Sequence, residues 1–151
     1  MKLFLSSILF ATLSATVMAQ SSTPPSSTNA APAKLASAVF DWEKMQPVTV
    51  TNGIRRAVFD GATATIDKIH CHITTLNPGE VSGSPRLHMQ EEVIIVKEGT
   101  IEATHDGVSE TVGPGSVIFF ASHATTCLRN PGKVPATYTV IYYYTPLTPK
   151  K

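Results

Sequence analysis

The sequence predicts an all-β fold, a small barrel or two-sheet jelly roll, on three observations. Short β-branched and aromatic stretches recur from residue 46 onward. Turn signals separate them: Asn52-Gly53, Asn77-Pro78-Gly79, Asp106-Gly107, Gly113-Pro114-Gly115 and Asn130-Pro131-Gly132. Only Asp41 to Met45 has room for a helical turn. Strands at such spacing, bounded by Gly, Pro, Asn and Asp, are the pattern of antiparallel sandwiches and barrels.

Taken in order, Val48 to Thr51 and Arg56 to Phe59 form a hairpin about Asn52-Gly53, a dipeptide suited to tight β-turns. Thr63 to Leu76 reads as one long strand. Val93-Ile94-Ile95-Val96 is a continuous apolar run ended by Gly99, as expected for a strand buried on both faces. Thr100 to Thr104 pairs through Asp106-Gly107 with Thr111-Val112, Val117 to Phe120 follows, and Tyr138 to Tyr144 closes the domain. No solenoid-type repeat is present.

The first residues have a different character. Met1-Lys2 is followed by an apolar, small-residue run to Val17 and by Val17-Met18-Ala19, the pattern of a secretory signal peptide over residues 1–19. That run is shorter and more diluted with Ser and Thr than a spanning helix needs, so no stable membrane insertion is expected after cleavage. Export to the periplasm or beyond is the expectation. Residues 20–37 are Ser, Thr, Pro and Ala with little to bury, and read as a disordered tether. Residues 38–149 make one domain.

Cleavage after Ala19 removes one lysine from twelve basic residues and leaves eleven acidic ones untouched, so the mature chain is neutral. Neutrality argues against a nucleic-acid partner, which calls for clustered Lys and Arg. Cys71 and Cys127 are the two cysteines. An oxidising compartment permits a bridge between them, and two buried thiols are the other reading.

The chemistry concentrates in Arg86-Leu87-His88-Met89-Gln90-Glu91-Glu92 and Thr126-Cys127-Leu128-Arg129-Asn130. Along a strand, residues two, four and six apart share a face, which puts Arg86, His88, Gln90 and Glu92 together. An imidazole and a carboxylate facing into a barrel suit a divalent transition metal, although a closed site needs two further donors.

Here the chain resembles the cupin superfamily. His88, three intervening residues, Glu92, six more and Gly99 reproduce the spacing of its first motif, with Gly79 one residue upstream of its usual place. Gly115 and Asn130 match the ends of the second motif, while Ala121, His123 and Thr126 stand where that motif has Pro, Gly and His. The likeness covers roughly residues 63 to 145 and implies a single small cupin β-barrel, a double-stranded jelly roll that pairs as a homodimer. In metal-binding members the resemblance implies two histidines and the glutamate of the first motif plus the histidine of the second. Carried over by position, Arg86 replaces the first histidine, His88 and Glu92 remain, and Thr126 replaces the last.

Arginine has no lone pair to give a metal, and its fixed charge repels one. Two good ligands rarely hold Fe, Mn or Zn. The expectation is therefore a small molecule, with anions among the candidates, bound by Arg86, His88, Glu92 and Thr126, with Arg86 beside Glu92 in the metal's electrostatic role and no cofactor. The alternative is a metal-dependent dioxygenase- or isomerase-type enzyme, its divalent transition metal held by His72, His88 and Glu92. A third reading keeps the barrel only for its oligomeric surface.

The remaining polar residues carry less. His70 and His72 share a face, His105 and His123 are expected at the surface, and Arg55-Arg56 reads as a solvated pair. Tyr142 to Tyr144 read as packing, Trp42 as an anchor for the leading segment, and Cys127 as pointing away from the pocket by strand parity.

Overall fold

The structure, a computed structural model, describes residues 33–149. The signal segment and residues 20–32 of the tether lie outside the described residues. At the end of that tether, the Leu35 backbone N–H donates to the Ala62 carbonyl at 2.7 Å.

Ten strands follow one 3-10 turn at Trp42–Lys44, where the Asp41 side chain accepts from the Glu43 N–H. They are β1 (Val48–Val50), β2 (Gly53–Gly61), β3 (Lys68–Leu76), β4 (Arg86–Leu87), β5 (Glu91–Glu98), β6 (Ile101–His105), β7 (Val108–Val112), β8 (Val117–Phe120), β9 (Thr125–Arg129) and β10 (Ala136–Tyr144). A six-stranded sheet runs β1-β2-β3-β10-β5-β8, and a four-stranded sheet runs β4-β9-β6-β7. Every pairing is antiparallel, as a two-sheet jelly roll requires.

The core lies between the sheets. Leu76, Ile94, Val96, Phe120, Tyr138 and Val140 come from the large sheet, and Ile101, Ala103 and Leu128 come from the small one. Their alternation with exposed neighbours follows the two-residue period of a strand. Gly99, at φ +75° between β5 and β6, lies so close to β10 that a Cβ would sit 2.7 Å from Ala136 Cα. No other residue fits there.

Three expectations change. The run read as one strand from Thr63 begins at Lys68, because the Thr63 hydroxyl accepts from the N–H groups of Thr65 and Ile66 and fixes a turn. β5 is buried on its inner face only, and Ile95 is 41% exposed on the outer one. The motif segment 86–92 is not one strand: residues 88–90 cross from β4 in the small sheet to β5 in the large one.

Two features fix the site. The register of β2 against β3 shifts between Ala57 and Phe59, a bulge that adds one residue to β2. Trp42 lies against the large sheet, with the Arg56 guanidinium 4.4 Å and the Lys97 ammonium 3.7 Å from its ring. These cation–π contacts pin the leading segment where an anchor was expected.

Candidate ligand-binding site

A cavity of about 350 Å³ opens between the sheets. Arg55, His72, Arg86, His88, Glu92 and Thr126 are among its walls, with further hydroxyls from Ser82, Tyr138 and Tyr142. The four residues predicted for ligand binding therefore come together, although two different sheets supply them. Arg86 stands opposite Thr126 in the β4–β9 register. Past β4, the His88 N–H donates to the Ala124 carbonyl at 3.1 Å and its own carbonyl accepts from His123 N–H at 2.7 Å. These two backbone bonds hold the imidazole over the cavity.

Arg86 does not pair with Glu92; His88 stands between them. Arg86 Nε donates to His88 Nε2 at 3.0 Å, and His88 Nδ1 lies 2.9 Å from Glu92 Oε1. Arginine Nε has only a hydrogen to offer, so His88 Nε2 is the acceptor and the ring hydrogen sits on Nδ1, facing the carboxylate. Gln90 Nε2 is also 3.2 Å from Nδ1, but both atoms then carry hydrogens; its bond goes to Glu92 Oε1 at 3.4 Å. Tyr144 donates to Gln90 Oε1 at 3.3 Å and steadies that amide. Both His88 and Glu92 are buried, while the Arg86 head is exposed at the mouth. Its two terminal amino groups have no hydrogen-bond or carboxylate partner among the described residues.

A second chain of the same kind forms on β2 and β3. Arg55 is exposed to solvent, as its reading as half of a solvated pair expects, and it also lines the cavity. Neighbours on a strand face opposite ways, so with Arg56 held on the outer face under Trp42, Arg55 faces in. An Arg55 terminal amino group donates to His70 Nε2 at 3.2 Å. His72 Nδ1 lies 3.1 Å from that same nitrogen, whose single lone pair the two neighbours share. The hydrogen of His70 is left on Nδ1, directed at Asp60 Oδ2 at 3.6 Å, beyond hydrogen-bond reach. Residues 55 and 60 share this face only because the bulge shifts parity between them. Tyr142 stacks on His70 with ring centroids 4.6 Å apart, so it packs against the site itself.

His72 is the most strongly perturbed group. Burial, reinforced by the positive charges of Arg55 and Arg86, pushes its imidazole down to about 3, and it stays neutral at ordinary pH. Burial likewise lowers His70. Cys71 and Cys127 are free thiols, both raised by burial. Cys127 borders the cavity after all, because the chain at Ser82 and Gly83 folds over it and Gly83 O accepts from its thiol at 3.2 Å. Among the described residues no three His, Cys, Asp or Glu side chains gather where one ion would reach them. His105 is half-exposed beside Phe120, and His123 is exposed at φ +67°.

Asn130, the last residue of the second motif, is wholly buried and has a structural role. It donates to the carbonyls of Leu76 and Val134 at 3.1 and 2.8 Å and accepts from Gly132 N–H at 2.9 Å.

Comparison with known proteins agrees with this architecture. The Cupin_2 family, described as a cupin domain, matches residues 72–142. The chain is 35% identical over 69 residues to mannose-1-phosphate guanylyltransferase of Escherichia coli K12, a stretch that is 46% of this chain and 14% of that enzyme. Among solved structures, an RmlC-like cupin from Shewanella frigidimarina superposes with a TM-score of 0.60 at 16% identity, over 74% of this chain and 95% of that one. A sugar phosphate isomerase from a cupin superfamily, from Silicibacter pomeroyi, gives 0.56 at 21% identity, over 72% and 77%. Two antiparallel sheets, the motif spacings and the match over residues 72–142 identify that segment as a Cupin_2 domain of the cupin superfamily.

Proposed function

We propose that the protein binds a small anionic molecule in the cavity through Arg86, with His88 and Glu92 aiming that arginine and Thr126 offering a hydroxyl, and with no redox metal at the site. The observation that carries this is the chain Glu92–His88–Arg86. It uses both nitrogens of the imidazole and leaves the outer amino groups of the guanidinium open. A guanidinium held by its Nε is already oriented for a bidentate grip on a carboxylate or phosphate.

The donor set fits a cupin metal poorly. The His88 lone pair already accepts from Arg86, Arg86 itself has none to give, and Thr126 is a weak neutral donor. A rebuilt metal site drawing on His72, the enzymatic alternative, lacks the gathering of three ligands that it needs. The proposal accordingly includes no cofactor. Two of the similar proteins carry a sugar phosphate in their names, which supports an anionic, hydroxyl-bearing ligand for this cavity. The site is proposed to work outside the cytoplasm, in a homodimer.

Isothermal titration of the mature protein with inorganic phosphate tests the reading. Binding should weaken by about tenfold or more in Arg86→Met, a loss of ~1.4 kcal/mol. Unchanged binding in that variant would remove Arg86 from the account.

A further inference from the structure

Two arginines in this cavity have no carboxylate of their own. Neither Arg55 nor Arg86 forms an ion pair among the described residues, whereas Lys44, Lys68, Lys97 and Arg129 do. Asp60, at the end of the Arg55 chain, is already matched by Lys68 at 3.1 Å. The two cations come from opposite walls, β2 of the large sheet and β4 of the small one. Each guanidinium meets an imidazole Nε2, Arg86 through its Nε and Arg55 through a terminal amino group; behind His88 the Glu92 carboxylate is in hydrogen-bond contact, and behind His70 the Asp60 carboxylate stands off at 3.6 Å. His72, on β3 next to the strand that carries Arg55, lines the same cavity.

Like charges across a small cavity repel, and a bound anion that touches both relieves the repulsion. The number of oxygens then discriminates between ligands. A monocarboxylate has two, and one guanidinium in bidentate contact occupies both. A phosphate monoester has three terminal oxygens and close to two charges at neutral pH. A dicarboxylate offers one carboxylate to each arginine.

Resting on the anion-binding reading above, we propose that Arg55 and Arg86 clamp one small dianion from opposite walls, and that His70 is the positioning residue for Arg55 as His88 is for Arg86. The second arm exists because of the bulge in β2, which puts Arg55, His70 and Asp60 on one face.

The test is calorimetric titration of the mature full-length protein at about pH 8, where phosphate is mostly dianionic, with acetate, inorganic phosphate and succinate at matched ionic strength. Phosphate or succinate should bind about tenfold or more tighter than acetate. Phosphate ahead of succinate puts both charges on one group, and the reverse order puts them on two. Arg55→Met should bring the dianion down to the acetate level and move acetate itself by less than about twofold. His70→Phe keeps the stack on Tyr142 and should reproduce that loss, whereas His70→Gln supplies an amide oxygen to the guanidinium and should recover most of it. Equal affinities for all three anions, or dianion binding untouched by Arg55→Met, overturns the clamp while leaving single-arginine binding through Arg86 intact. Identical behaviour of His70→Phe and His70→Gln overturns the positioning role. Failure of every anion to bind wild-type protein overturns the anion-binding reading and the clamp with it.

Discussion

Arg86 bonds to His88, not to Glu92: the guanidinium Nε meets the imidazole Nε2 at 3.0 Å, and the carboxylate lies on the far side of the ring. The buried negative charge of Glu92 is thus met by a neutral donor, and the arginine's charge stays available at the cavity mouth. That division separates a pre-aimed cation from a closed internal ion pair.

Glu92 should matter to stability through that one ring hydrogen. Glu92→Leu strands the His88 Nδ1–H in a buried place and should cost about 2–3 kcal/mol. Glu92→Gln keeps an acceptor oxygen, loses only the charge assistance, and should cost about 1 kcal/mol. Urea denaturation of the two variants gives the comparison, and equal losses would contradict the assigned ring hydrogen.

Acid should weaken the fold through His72 before the carboxylates protonate. Its folded value of about 3 lies below the ~6.5 of an unfolded histidine, so the unfolded chain binds a proton that the folded chain refuses. The contribution is complete above about pH 6.5 and falls away toward about pH 3, by at most ~1.4 kcal/mol per pH unit. His70, also lowered, acts in the same direction. Denaturation midpoints between about pH 7 and 4 should decline less steeply in His72→Gln than in wild type; parallel curves would contradict the buried neutral imidazole.

His123 occupies left-handed backbone at φ +67° in an exposed turn, where the second cupin motif has glycine. Relief of that strain, less the extra chain entropy of glycine, should make His123→Gly about 0.5 kcal/mol more stable. Thermal melts should show a small rise; a fall would show that the Ser122–His123 contact outweighs the backbone.

Asn130→Ala should cost roughly 2–4 kcal/mol, since three hydrogen bonds at a fully buried residue are lost together. Circular dichroism melts provide the measure. A change within about 0.5 kcal/mol would contradict its role in fastening the 130–134 turn to the end of β3.

Much of the fold was legible because turn chemistry is local. Gly99 and Asn130 stand where the motif spacing places them, and each answers a geometric need: a backbone approach without a Cβ, and a buried amide serving two carbonyls. Arg86, His88, Glu92 and Thr126 were legible as a group for the same reason. The contacts within that group were not, because strand parity assumed one strand where the chain changes sheets at residues 88–90. Arg55 shows a different limit. Parity demands that Arg55 and Arg56 face opposite ways, but only Trp42 on the outer face decides which one turns inward. The pairing of Asp60 with His70 depends on a bulge, and nothing in Ala57-Val58-Phe59 marks it. The position of Ile95 also escaped, since a continuous apolar run reads alike on a covered and on an open sheet face.

The proposal is that Arg86, aimed by His88, offers a free guanidinium to an anion in a barrel whose donors do not suit a metal ion. The decisive measurement is elemental analysis of the purified protein after incubation with Fe(II), Mn(II) and Zn(II) and exhaustive dialysis. The double variant Arg86→His with Thr126→His supplies the reference, because it restores imidazoles at both replaced positions. The wild type should retain far less than about one ion per chain and the double variant should hold near-stoichiometric metal. Stoichiometric metal in the wild type would contradict it.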